Sequence, residues 1–343
     1  MIAPIFLPHL GCGQRCSYCN QDHITGGQDA PLEERIAGLF ATLSRPAEVA
    51  LYGGDILGLP PGEIEALFRL LDPYRDKIAA IRISVRPRTV ARAVVSLLRR
   101  YGVRTIELGA PTFNDAILAR LNRGHTAEDA RRACSFWRDA GFETGLQVMV
   151  GLPGETAHDV RETAANIIDL APAFIRIYPL VVVEDTPLCR DFREGRFSPD
   201  ALETAVEKSA FIYVSAWTRG IRTIKMGLTA NEALREKTAA GPFHPAFGYL
   251  VKSEAFCRAV LARVASAGLA AGARLSVNRR DVAHVTGYRR ANAGRLTEAG
   301  IAPEWREAAG IEEGRFVIES GGKTASGSLA DALYSLLSPE TPS

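Results

Sequence analysis

Over its first 180 residues the chain alternates short apolar runs with segments whose apolar positions recur at helical spacing. The runs fall at 2–7, 48–52, 80–85, 105–109, 144–150 and 174–179; each is apolar or β-branched and bounded by Gly and Pro. Helical patterns occupy 32–44, 62–76, 89–101, 114–121, 127–140 and 157–171. Alternation of this kind predicts a parallel sheet with right-handed crossovers. Six units are too few to close an eight-stranded barrel. The expected fold is therefore a partial (βα)6 TIM-like barrel, whose chemistry belongs at the C-terminal ends of the strands. The unusual loops all fall on that rim: a cysteine loop after the first strand, Gly53-Gly54-Asp55 after the second, 84–88 after the third, Ala110-Pro111-Thr112 after the fourth and Gly151-Leu152-Pro153-Gly154 after the fifth.

Beyond residue 188 the alternation stops. Residues 199–219 read as one long helix and 221–227 as a last strand or an edge. From about 229 the composition turns to Ala- and Arg-rich helical segments broken by Gly241-Pro242 and Gly287. This places a boundary at 228, between a barrel unit (1–228) and a mainly helical C-terminal accessory domain (229–343). A Gly/Ser-rich stretch at 321–328 precedes a short closing helix at 329–337.

Composition narrows the class. The 343 residues are 47% apolar and 23% charged, as expected for a globular chain. A net charge of +2 is too mild to declare a nucleic-acid binder. No run of eighteen apolar residues predicts a membrane span. The opening segment holds Pro4 and Pro8 without a basic region, which is not the pattern of a secretory signal. Six cysteines, only three of them clustered, point to a reducing cytoplasm; Cys134, Cys189 and Cys257 read as small buried hydrophobes.

The clustered three, Cys12, Cys16 and Cys19, stand at C-x3-C-x2-C spacing on a glycine-containing loop. Thiolates on so short a loop can converge on one soft metal centre, and four-cysteine runs of similar tightness hold 4Fe–4S clusters. No fourth cysteine follows nearby. Three protein ligands leave one iron open to a cofactor or substrate, as catalytic zinc sites keep an open position. A Cys3His zinc site using His9 or His23, or a disulfide, are the competing readings.

Other residues stand out against ordinary alternatives. Paired glycines at 53–54 allow close backbone approach to a ligand, and Asp55 offers a charge beside them. Arg123, at a helix end, can clamp a carboxylate bidentately or lie on the surface. Gln147 is one polar residue in an apolar run, so it bonds either a ligand or the core. Six arginines between 274 and 295 (Arg274, Arg279, Arg280, Arg289, Arg290, Arg295) face one acid, Asp281; they form a phosphate-contacting patch or a solvated face. His125, His158, His244 and His284 show no metal spacing.

Together these segments resemble the radical S-adenosylmethionine (SAM) superfamily, in the branch of the Elongator catalytic subunit and oxygen-independent coproporphyrinogen oxidase. The resemblance rests on Pro4 to His9 with the cysteine loop, Tyr52-Gly53-Gly54, Ile83-Ser84 with Arg86-Pro87, and Glu107-Leu108-Gly109. It continues through Arg123-Gly124-His125-Thr126, Gly145-Leu146-Gln147, Gly151-Leu152-Pro153-Gly154, Arg176-Ile177-Tyr178-Pro179 and Gly241 to Phe247. It implies an oxygen-sensitive 4Fe–4S cluster on Cys12, Cys16 and Cys19, with SAM chelating the open iron. One-electron reduction, by a flavodoxin or ferredoxin-like partner, then releases methionine and a 5′-deoxyadenosyl radical that abstracts hydrogen. It further implies Tyr18 against the adenine, Ser84, Gly109 and Gln147 on the ribose side, Gly53, Gly54 and Asp55 at the amino group, and Arg123 on the carboxylate. Departures fall at Asp55, where this branch usually has Ser or Thr; at Val85 and Arg88, where it has Thr and Asp; and at Ala110-Pro111-Thr112, where relatives read Val-Gln-Ser. At this length the acetyltransferase half of the Elongator subunit is not expected.

The resulting expectation is a cytoplasmic radical SAM enzyme acting on a small metabolite or peptide. An RNA base reached through the arginine patch, and a non-enzymatic cofactor or haem carrier, stand as alternatives.

Overall fold

The computed structural model describes residues 2–26, 30–229, 231–269 and 272–337. Strands β1 (Ile2–Phe6), β2 (Ala47–Tyr52), β3 (Ile78–Val85), β4 (Val103–Gly109), β5 (Glu143–Val150) and β6 (Phe174–Pro179) lie where the sequence puts them. After the short β7 (Val182–Val183), β8 (Arg222–Met226) adds a seventh strand next to β6. All neighbours in the order β1-β2-β3-β4-β5-β6-β8 are parallel, which leaves β1 and β8 as the two free edges of a curled half-barrel.

The strands are two-sided. Val49, Leu51, Ile81, Ile83, Ile106, Leu108, Leu146, Val148, Ile175 and Ile177 are essentially buried in the apolar core. The alternate positions, Glu48, Tyr52, Arg82, Glu107, Gln147, Arg176 and Tyr178, are polar. In a strand, successive side chains point to opposite faces. The polar set meets across the concave side: Arg82 Nη1 lies 2.6 Å from Glu107 Oε1, and Tyr52 Oη donates to the same oxygen at 2.9 Å. Arg176 Nη2 donates to Tyr52 Oη at 2.7 Å, and its Nη1 pairs with Glu107 Oε2 at 3.2 Å. Gly145 makes room for this layer; a Cβ there would lie 2.2 Å from the Phe174 ring, over which Arg82 stacks at 4.9 Å.

Helices cover the convex side. Two, Ala127–Asp139 and Ala157–Leu170, start at capping boxes in which Thr126 pairs with Asp129 and Thr156 with Asp159. The helix expected over 62–76 stops at Arg69 and gives way to a 3-10 segment at Asp72–Lys77. Pro73 explains the break, because it fixes φ and removes an amide donor. The long helix Leu202–Trp217 appears as expected and packs against Phe247–Ala267, so one apolar core runs on into the C-terminal region. That region carries the expected helices and also a four-stranded sheet that the sequence reading did not assign. Its strands β10 (Ala273–Val277), β11 (Ile301–Glu307), β12 (Arg315–Ser320) and β13 (Lys323–Ser328) run in the order β11-β10-β12-β13, while β9 (Thr238–Ala240) pairs with β7. Among the described residues no helix is long and apolar enough to cross a membrane.

One lysine braces the Gly151–Gly154 turn. Lys208 Nζ lies 2.7 Å from Asp200 and 3.2 Å from Glu155, which also accepts the Gly151 amide. Burial outweighs the lysine's attraction and pushes the Glu155 carboxyl up to about 7. Between its ordinary value and about 7 the folded chain holds a proton that the unfolded chain releases. This contribution is therefore full at low pH and declines as pH rises through that window, at no more than about 1.4 kcal/mol per pH unit. Tm measured from pH 5 to 8 should fall more steeply for the native chain than for Glu155→Gln; parallel curves would refute the assignment.

Candidate active site

The C-terminal strand ends surround a cavity of about 810 Å³, well within the size of a cofactor site. Its wall gathers every site residue expected from the sequence: Cys12, Cys16, Cys19, Tyr18, Gly53, Gly54, Asp55, Ser84, Gly109, Arg123 and Gln147, with Pro111 beside them. They come from five strand ends and one loop.

The cysteine loop is fastened to distant parts of the fold. Asp55 donates its amide to Leu10, Ser17 to Leu121, and Leu188 to Ser17. Asn122 Nδ2 donates to the Arg15 carbonyl at 2.7 Å, and the Gln21 amide donates to His9 Nε2 at 3.0 Å. His9 and His23 are thus engaged elsewhere, His23 with Asp185 at 2.8 Å. Those contacts occupy the His9 and His23 nitrogens that the zinc reading would use. All six cysteines are free thiols.

The donor set suits an anionic iron–sulfur cluster. Arg123 Nη1 lies 3.2 Å from Cys16 Sγ and Arg86 Nη2 3.5 Å, while Gln21 Nε2 donates to Cys19 Sγ at 3.3 Å. Hydrogen bonds to sulfur are among the levers that tune such clusters. Burial pushes the Cys12 thiol up and that of Cys19 to about 11, the neighbouring Cys16 adding to the second shift. Metal binding must therefore displace protons from these sulfurs.

Tyr18 is half-buried beside Arg123, its hydroxyl 3.2 Å from Nη1, and desolvation drives its pKa up. Arg123 also donates to the Gly109 carbonyl, so the expected carboxylate clamp and a cluster ligand share one neighbourhood. Asp55 is buried; it accepts the Arg86 amide at 3.1 Å and pairs with Arg88, yet burial still raises its carboxyl. The two departures at 55 and 88 are thus one paired change. At the third, the Pro111 carbonyl accepts the Met149 amide at 2.9 Å while the residue lines the cavity. The side-chain amide of Gln147 lines the cavity with no hydrogen-bond partner among the described residues, so the core-satisfied alternative falls away. Five of the patch arginines (Arg274, Arg279, Arg280, Arg289, Arg290) are exposed and none lines the cavity; Arg295 pairs with Glu254 at 2.6 Å.

Several further residues join the site without a role assigned to them from the sequence. Tyr52, Arg86, Arg176 and Lys225 line the cavity, and Glu107 lies beneath it. Gly58 supports the cysteine loop from below, where a Cβ would meet the Gly11 carbonyl oxygen at 2.0 Å. Gly58→Ala is therefore expected to displace the loop and lower iron per chain after reconstitution. Gly62→Ala, with nothing within 4 Å, should load normally. Equal loading of the two variants would contradict the packing argument.

The comparisons agree with this geometry. The model of the Radical SAM superfamily matches residues 6–167 and that of the Radical_SAM C-terminal domain residues 172–256, together more than two thirds of the chain. The tRNA uridine(34) acetyltransferase of Methanocaldococcus jannaschii is 27% identical over 153 residues, 44% of this chain and 28% of that protein. Heme chaperone HemW of Bacillus subtilis is 22% identical over 239 residues, 66% of this chain and 63% of that one. The archaeal Methanocaldococcus infernus Elp3 structure superposes with a TM-score of 0.57 at 19% identity, over 73% of this chain and 61% of that one. The chain thus spans under two thirds of the length of these relatives. It belongs to the radical SAM superfamily. Proteins of this family use a 4Fe–4S cluster and S-adenosylmethionine.

Proposed function

We propose that this protein abstracts a hydrogen from a small metabolite or peptide that enters the cavity between the free edges β1 and β8. The observation that carries this reading is the wall itself. Apolar residues from both edges, Ile2 and Ile224, are 40% and 37% exposed where they line the cavity, and the exposed arginines lie outside it. A macromolecular RNA held by the arginine patch would need that patch at the cavity mouth.

When bound, SAM and the cluster would supply an adenosyl radical through one-electron reduction. Cys12, Cys16 and Cys19 would ligate three irons. Arg86 and Arg123 would hydrogen-bond the Cys16 sulfur. Tyr18, Ser84, Gly109 and Gln147 would line the nucleoside, Gly53, Gly54 and Asp55 the amino group, and Arg123 the carboxylate. Residues 229–343 form the accessory unit, lending Asn231 and Leu234 to the far wall. A flavodoxin or ferredoxin-like protein is the proposed reductant, and the cytoplasm the proposed location.

The test is anaerobic. The iron-loaded chain, given dithionite and SAM, should form 5′-deoxyadenosine, and a small-molecule or peptide fraction of a cell extract should accelerate it. Acceleration by the tRNA fraction alone would favour the RNA reading. A loaded cluster without any cleavage, with every fraction tried, would favour the carrier.

A further inference from the structure

Four cations and one carboxylate line the cavity among the described residues: Arg86, Arg123, Arg176 and Lys225 against Asp55. Three of the cations are already engaged. Arg86 donates to the carbonyls of Gln14 and Arg123, and Arg123 to Gly109 and Cys16. Arg176 is held by Glu107 and Tyr52. Lys225 is not: its ammonium has neither a hydrogen bond nor an ion pair among the described residues.

Its position is set by the sheet. The register aligns Gly109 with Gln147, Gln147 with Arg176, and Arg176 with Lys225, so these residues form one row across β4, β5, β6 and β8. Gly109 and Gln147 stand at the end occupied by Arg123 and the cysteines, and Lys225 stands at the opposite end, on the edge strand. The same cavity is lined by Ile24, Val181, Val183, Ile224, Leu228 and Leu234, with Thr25, Thr229 and Asn231 as polar residues among them. Burial and the neighbouring Arg176 push the lysine's pKa down, the response of an ammonium short of water and facing a like charge. A cation in such surroundings gains most from an anion that arrives with its own apolar body.

We propose that Lys225 anchors an anionic group, a carboxylate or a phosphate, carried on an otherwise apolar stretch of the substrate. This rests on the enzymatic reading above and narrows it, since it fixes one end of the substrate about the row's length from the cysteine loop. Lys225 is a specificity residue here.

The test uses the iron-loaded full chain with SAM present, so that the cofactor's own carboxylate does not compete. Hexanoate, hexyl phosphate and hexan-1-ol are titrated calorimetrically. At least one of the two anions should bind tenfold or more tightly than the alcohol. In Lys225→Met, which keeps the side chain's length, that advantage should vanish while the alcohol's affinity stays the same. Lys252→Met, outside the cavity, should keep it. Preference for hexanoate assigns a carboxylate, and preference for hexyl phosphate a phosphate. Absence of any anion advantage in the native chain, or its persistence in Lys225→Met, overturns the proposal; Lys225→Gln repeats the test if the methionine variant fails to fold. No cleavage of SAM enters the readout. A chain that binds the anion through Lys225 yet never forms 5′-deoxyadenosine would refute the enzymatic reading and leave the anchor standing.

Discussion

Cys16→Ala is expected to abolish cluster loading and, with it, all formation of 5′-deoxyadenosine. Cys16 is the most buried of the three clustered cysteines, at 5% exposure, and both nearby guanidiniums address its sulfur. Without it two thiols remain, and two cations face each other with no shared acceptor. The loss should be of ligation and not of fold: a buried Cys→Ala change in iron-free protein costs roughly 1 kcal/mol. Iron per chain, 5′-deoxyadenosine and the Tm of the iron-free form separate the two effects. Retained iron with normal turnover would refute the ligand assignment.

Glu107→Ala is expected to be the most destabilising single change beneath the cavity. This carboxylate, 1% exposed, is shared by Arg82, Arg176 and the Tyr52 hydroxyl. Removing one partner of a buried ion pair costs about 3–5 kcal/mol, because the remaining charge is left uncompensated. Here two guanidiniums would be left so. Tm should drop by on the order of 10 °C. Glu107→Gln, which retains an oxygen for Tyr52 and the shape of the layer, should lose less. A near-normal Tm for the alanine variant would mean that water or Glu48, 2.9 Å from Arg82, compensates.

The barrel strands and the cysteine loop were legible because each rests on local chemistry. Apolar runs bounded by Gly and Pro define strands, and close cysteine spacing defines a ligand loop. The concave polar layer was legible too, but was passed over. Arg82 and Ser84, Thr105 and Glu107, Arg176 and Tyr178 alternate with apolar neighbours at a period of two, which marks one polar face on each strand. What no local reading reaches is pairing across the chain. Asp55 and Arg88 each look like isolated departures until the fold sets them against each other. Gly58 looks like an ordinary turn residue until Gly11 lies on it. The C-terminal sheet escaped because its strands, such as Ala273–Val277 and Arg315–Ser320, are short and lie inside a composition that favours helices.

The fastening of the cysteine loop bears on how the protein survives damage. Hydrogen bonds donated by Asp55, Asn122 and Leu188, and one donated by Ser17 to the Leu121 carbonyl, tie residues 10 to 17 to the rest of the fold. The conformational entropy of ordering the ligands is therefore borne by the folded scaffold before iron arrives. Oxidative loss of the cluster would leave a standing socket instead of a collapsed strand end. Repair would then be a matter of iron and sulfide supply, not of refolding, and one chain could pass through many cycles of loss and reloading.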